Sequence, residues 1–331
     1  HRDLHSFPTR RSSDLEEEYD IIFTASTTES VNLLASTFPE PAPGEAPLIL
    51  NSLLEHSSND LPWRYIPGYK VIKFPVSNEG FWDLNKLEEI LRAHNGNKES
   101  RNRIRVVTVS GASNVLGSCN DLAATAALVH QYGALFVVDA AQLVAHRAID
   151  MSAEGIDGLV FSAHKAYAPF GTGVLVIRKS AFGQGLSGAV QPDEGGEENV
   201  GGIAALGKAL MLIRHIGFDV IRAEEARLTR RAMQGMLTIP GLEIKGTSDP
   251  SSPIMERKTG IILIEMKNRM PGRIATRLAW HSAIGVRYGC HCAHLIIKQL
   301  TGFTPFTEQL QRFIKLLFPM LTLQEIGRAH V

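Results

Sequence analysis

The sequence predicts an α/β protein built on a large, mostly parallel sheet with helices on both faces, followed by a smaller α+β region. Two observations carry that expectation. Short Val/Ile/Leu-rich runs alternate with segments of helical spacing across residues 19–178, and strand–helix–strand alternation is how consecutive parallel strands are joined. The runs are continuously apolar and bounded by Gly, Asp and Ser, which suits strands covered on both faces.

In chain order, YDIIFTA reads as a strand, followed by a helix opening at STTESVNLLASTF. APLILNSL is a second strand and IRVVTVSG a third; DLAATAALVHQYG then reads as a helix and ALFVVDA as a strand. After a short connection come GIDGLVFSA and GVLVIRK. From about residue 204 the pattern changes. IAALGKALMLIRHIG and DVIRAEEARLTRRAMQGM carry apolar residues at helical spacing, and GIILIEM and GVRYG read as strands of a smaller domain. The expected organisation is a large domain over 16–205 and a partial small domain over 206–324. Residues 1–15 (HRDLHSFPTRRSSDL) and 325–331 (EIGRAHV) lack apolar periodicity and read as adapter-derived, non-native tails.

Composition narrows the function classes. The 331 residues carry 34 basic and 34 acidic side chains, so no charge excess points to nucleic acid or an anionic membrane. Charges and glycines interrupt every apolar run before it could cross a bilayer. Three cysteines, Cys119, Cys290 and Cys292, cannot form a disulfide framework, and their odd number suits a cytoplasmic, reducing setting.

In open α/β sheets, ligands sit outside the carboxyl ends of the strands. Ser26 and Thr27 follow the first strand at a helix start, where free N–H groups bind phosphate, although in isolation plain N-capping, with Glu29 in the first turn, is the favoured reading. Asn114 follows VVTVSG, Asp139 and Gln142 follow ALFVV, and Ser162, His164 and Lys165 follow GLVF. Asp139 at the end of an apolar strand needs a cation or donors, or else caps a turn. His56, in LEHSSNDLPW, is a flat partner for a ring or a hydrogen-bonded loop histidine. Lys165 is the most informative position. At a pKa of about 10.4, only roughly one lysine in 2,500 is neutral at pH 7, so a Schiff-base lysine needs desolvation or a cationic neighbour.

These segments resemble a family. FSAHKAYAPFGTGVL, VVDAAQ, SNVLG, TASTTESVNLLA and EHSSNDLPW are similar, in this order, to signatures of class V pyridoxal-phosphate enzymes, the cysteine desulfurase and selenocysteine lyase group. The resemblance implies an aspartate-aminotransferase-like fold, pyridoxal 5'-phosphate as cofactor, an amino-acid substrate (cysteine or selenocysteine), a homodimer, and a possible sulfur-acceptor protein. It implies that Lys165 carries the cofactor, that Asp139 pairs with the ring nitrogen, and that Gln142 meets the ring oxygen. His56 would stack on the ring and count among the catalytic groups. Thr27, Ser162 and His164 would hold the phosphate, with Asn114 near the ring oxygen and substrate carboxylate. In VRYGCHCAHL, Cys292 falls where the family's cysteine attacks the substrate sulfur and becomes a persulfide.

Other readings stay open at this stage. An extended segment would put Cys290 and Cys292 on one face and His291 on the other. Metal binding is a competing reading, but C-x-C-x-H matches no common zinc spacing. Structural, inert buried cysteines are another. A Cys290–Cys292 bridge would close a very tight loop. Glu197, in GGEENVGG, stands where many relatives have a threonine that reaches the partner subunit's phosphate, and a carboxylate there would repel it. The family's substrate-carboxylate arginine lies beyond the small-domain helix, and no matching residue precedes the tail. The expected reaction is desulfurisation of cysteine, releasing alanine. The alternatives are another class V reaction, transamination or a lyase step, with Cys292 a bystander, or a non-catalytic binding module.

Overall fold

The computed structural model describes residues 18–182, 199–267 and 269–302. The expectations for both tails, for Glu197 and for the small domain beyond residue 302 lie outside the described residues. Seven strands form the main sheet: β1 (Tyr19–Thr24), β2 (Leu48–Ser52), β3 (Lys70–Phe74), β4 (Ile104–Ser110), β5 (Leu135–Asp139), β6 (Gly158–Ser162) and β7 (Gly173–Arg178). Their order is β1-β7-β6-β5-β4-β2-β3. The strands from β6 to β3 are parallel, and β7 is antiparallel to both of its neighbours. Two reversals restore direction, so β1 points the same way as β6. The carboxyl ends of β1, β2, β4, β5 and β6 therefore open on one edge of the sheet.

Alternate residues of each strand enter different cores. Ile49, Val106, Val137, Val160 and Leu175 pack against Val31, Leu34 and Ala35 of α1 (Thr27–Ser36). Leu50, Val107, Phe136, Val138, Leu159 and Phe161 share the opposite core with α2 (Leu84–Asn95), α3 (Leu122–Gln131) and α4 (Val200–Ile216). Each such buried side chain contributes on the order of 1.5–3 kcal/mol. The helices start where the sequence supplies caps: Ser26 accepts from the Glu29 N–H and Asp121 from the Ala124 N–H. Sequence patterning did not mark β3. KVIKF mixes lysines with apolar residues because it is an edge strand, where lysine keeps the open ladder soluble.

The remaining described chain comprises α5 (Phe218–Met236), the antiparallel pair β8 (Leu242–Lys245) and β9 (Leu263–Met266), α6 (Pro271–Ser282) and α7 (His294–Thr301). Helix α4 runs straight through the expected boundary at 205/206. The strand expected in GVRYG is not formed: residues 285–289 are exposed and lie outside any ladder, because β8 and β9 pair only with each other among the described residues. Contact between the two regions runs through Glu225 on α5, which bonds His146 and, at 3.0 Å, Arg147. It continues where Cys119 N–H donates to Arg257 O and Thr259 N–H to Gly117 O.

Candidate active site

The strand ends enclose a cavity of about 240 Å³ bordered by Ser26, Thr27, His56, Asn114, Asp139, Gln142, Ser162, His164 and Lys165. Nine of the ten residues singled out from sequence thus meet in one place. Cys292 borders a second, larger cavity of about 690 Å³, which shares His56, Asn114, Gln142, Lys165 and Arg287 with the first.

At one end of the smaller cavity, helix α1 presents its first turn. The Thr27 N–H donates to Ser162 Oγ at 2.7 Å, and the Thr27 and Ser162 hydroxyls also lie 2.7 Å apart. Gly173 permits this approach of β6 and β7 to the helix start. A Cβ there would lie 2.5 Å from the Ser26 carbonyl carbon and 2.6 Å from its nitrogen. Exposed His164 adds a side chain on the same wall. An N–H-rich helix end with hydroxyls and an imidazole suits a phosphate.

At the other end, Asp139 is buried at the carboxyl end of β5. One carboxylate oxygen accepts from the Ala141 N–H at 2.9 Å. Burial raises its pKa, and the Ala141 bond and the Lys165 charge work against that rise. Lys165 follows β6 on a short 3₁₀ turn ending at Tyr167, which takes the left-handed conformation. Burial lowers its pKa, against the pull of Asp139; Arg287 lowers it further and Cys292 raises it. Desolvation thus moves the amine toward the neutral form that nucleophilic addition requires. His56 is held by Ser58, whose N–H donates to Nδ1 at 3.2 Å and whose hydroxyl lies at 2.9 Å. Burial and the charges of Lys165 and Arg287 lower its pKa, which favours the neutral ring, and acceptance of the Ser58 N–H at Nδ1 leaves the ring proton to Nε2.

The Cys292 segment departs from the extended reading. Ala293 N–H donates to Cys290 O at 2.9 Å, and His291 and Cys292 both have positive φ, 52° and 56°. That is a tight turn with two left-handed non-glycine residues, each costing roughly 1–2 kcal/mol. Bonds from neighbouring loops offset the strain. Asn114 Nδ2 donates to His291 O at 2.8 Å, and the Ser57 N–H and Oγ donate to Cys292 O at 2.7 and 2.9 Å. Cys290 and Cys292 are both exposed free thiols, so the reading of buried, inert cysteines is wrong for this pair. Asn114 acts here as a tether of the cysteine turn, a contact that its place after β4 did not reveal.

Arg287 was missed by sequence reasoning. It borders both cavities and adds positive charge beside His56 and Lys165. Its only sequence signal is its position five residues before Cys292. Ser58 and Ser110 also line the smaller cavity.

One cavity thus brings together a carboxylate that could face a basic ring nitrogen (Asp139), an imidazole (His56), an amine (Lys165) and the hydroxyls and N–H groups of the α1 start. The site therefore suits the pyridoxal-phosphate class of enzyme, in which Asp139 would hold the ring nitrogen and Thr27, Ser162 and His164 the phosphate. The chain belongs to the aminotransferase class-V family, whose family model matches residues 14–304. It is 31% identical to a cysteine desulfurase of Dickeya dadantii, an alignment covering 88% of this chain and 76% of that protein. Among solved structures, the apo cysteine desulfurase of Thermococcus onnurineus is similar with a TM-score of 0.70 and 26% identity, covering 85% of this chain and 71% of the other. The Escherichia coli cysteine desulfurase CsdA, in its S-sulfonic acid form, is similar with a TM-score of 0.69 and 27% identity over the same shares.

Proposed function

We propose that this chain is a pyridoxal-phosphate-dependent cysteine desulfurase, with Lys165 as cofactor lysine and Cys292 as sulfur acceptor. The observation that carries the reading is the junction of the two cavities. Lys165 borders both of them, Asp139 lies on one side and Cys292 on the other. Bound pyridoxal phosphate supplies the electron sink that lets bonds at the substrate Cα break. Lys165 Nζ would hold the cofactor and, as a free amine at the cavity junction, move the α-proton of the substrate. Asp139 would hold a proton on the ring nitrogen, and His56 would lie against the ring. Cys292 Sγ would attack the substrate sulfur as a thiolate; an S–S bond forms as the substrate Cβ–S bond breaks, its electron pair stays with Cβ, which takes up a proton, and the amino-acid product leaves as alanine.

The exposed position of Cys292 supports onward transfer of the sulfur to a thiol of an acceptor protein. Exposed aromatic side chains beside the site loops, Tyr65, Tyr167 and Phe170, support a homodimer that covers them. The three free thiols fit work in the reducing cytoplasm. The cofactor role of Lys165 is tested by absorption spectroscopy. Addition of pyridoxal phosphate produces a visible band in the wild type and in Cys292→Ser, and no band in Lys165→Ala. An unchanged band in Lys165→Ala would remove this lysine from the role.

A further inference from the structure

Behind the smaller cavity lies a buried acid that the reaction above does not use. Glu55 precedes His56, and its side chain is buried between the ends of β2 and β4. Ser52 at the end of β2 donates to one carboxylate oxygen. The other oxygen accepts from Asn59 Nδ2 at 2.7 Å and from Ser110 Oγ at 2.8 Å. Asn59 is fixed in turn, since its Oδ1 accepts from Thr108 Oγ1 at 2.7 Å and from Trp63 Nε1 at 3.1 Å. Ser110 ends β4, sits opposite Asp139 in the ladder, and lines the cavity. Glu55 therefore ties two strand ends and the His56 turn to one wall of the site.

The charged neighbours of Glu55 are committed elsewhere. Lys73 on β3 bonds Asp60, and Arg64 bonds Asp60 at 2.7 Å, so Lys73 acts on Glu55 only through space. Asp139, Lys165 and His56 line the same cavity as Ser110, and none of them bonds Glu55. Among the described residues Glu55 is thus a buried carboxyl group held by three neutral donors without an ion pair. Burial raises its pKa to about 7, against the lowering effect of Ser52, Asn59, Ser110 and Lys73.

We propose that Glu55 is a positioning residue whose proton decides which hydrogen-bonding group Ser110 presents to the cofactor. When Glu55 is ionised, the Ser110 hydroxyl donates to it, and only oxygen lone pairs of Ser110 face the cavity. When Glu55 takes a proton from solvent on the oxygen near Ser110, that O–H donates to Ser110 Oγ. The serine proton then turns into the cavity, while Asn59 continues to donate to Glu55. No other bond changes, and the cavity wall switches from acceptor to donor. The proposal rests on the cofactor reading above for its effect on the bound ring, but not for the titration of Glu55 itself.

Two readouts test it. In protein loaded with pyridoxal phosphate, the visible band of the wild type shows an inflection near pH 7, and both Glu55→Gln and Ser110→Ala lose it. In cofactor-free protein, carboxyl-carbon NMR places the titration of Glu55 near pH 7 in the wild type and higher in Ser110→Ala, which lacks one donor to the carboxylate. Should Glu55→Gln fold poorly, Ser110→Ala carries both measurements. An inflection near pH 7 that persists in Ser110→Ala, or a Glu55 titration at the ordinary glutamate value, overturns the proposal. Absence of any band in all three proteins, with Glu55 titrating near 7, would instead count against the cofactor reading and leave the proton-linked Ser110 contact supported.

Discussion

At the scale of single residues, the site is shaped by the cost of burying charge. Lys165 is pushed toward its neutral amine and Asp139 toward its neutral acid, both chiefly by burial. Their mutual attraction limits both shifts. For Glu55 the through-space pull of Lys73 and three hydrogen bonds leave a net rise, and this gives a prediction with a definite sign. Its folded pKa of about 7 lies above the unfolded value of 4.5. Below pH 4.5 both states hold the proton and Glu55 costs nothing. Between these pH values only the folded state holds it, so stability falls as pH rises, by about 3 kcal/mol in all. Urea unfolding of the wild type and Glu55→Gln at pH 5 and pH 7.5 checks this. The wild type loses more stability than the variant over that interval; parallel losses would refute the assignment.

At the scale of elements, the meeting of β7 with the start of α1 is the most demanding junction. Gly173 leaves no room for a Cβ against the Ser26 backbone. Gly173→Ala is expected to cost roughly 1–3 kcal/mol and to weaken cofactor binding, because the helix N-terminus must shift. Denaturant midpoints and a fluorescence titration with pyridoxal phosphate measure the two effects. This junction also shows what the sequence made legible. Strands such as VVTVS and LFVVD could be read because burial on both faces leaves unbroken apolar runs. Each strand ends where its polar residue enters the cavity, so Asp139, Ser162 and Lys165 could be read with them. The turn at Cys290–Ala293 could not, because nothing in CHC announces two left-handed residues that are held by Asn114 and Ser57 from distant parts of the chain. Arg287 was hidden for a similar reason: it lies on an irregular stretch with no periodicity to mark its direction.

At the scale of the whole molecule, chemistry depends on holding the α5 region against the large sheet. Glu225 makes much of that contact. Burial alone would raise its pKa, but bonding to His146 and Arg147 takes it below the ordinary value. Its support is therefore present above the unfolded carboxylate pKa and is lost as pH falls through the folded value. Glu225→Ala is expected to speed limited proteolysis around residues 216–260 at neutral pH while the large-domain cofactor band remains; unchanged cleavage would remove Glu225 from this role. In the function proposed above, Cys292, across the cavity junction, takes sulfur from a substrate held at Lys165. The most direct measurement is mass spectrometry of the cofactor-loaded protein after brief exposure to cysteine, with alanine assayed in the same sample. The Cys292 peptide is expected to gain one sulfur atom together with alanine release, and both are expected to be lost in Cys292→Ser, whose visible band still responds to cysteine. Continued alanine release by Cys292→Ser at the wild-type rate would contradict it.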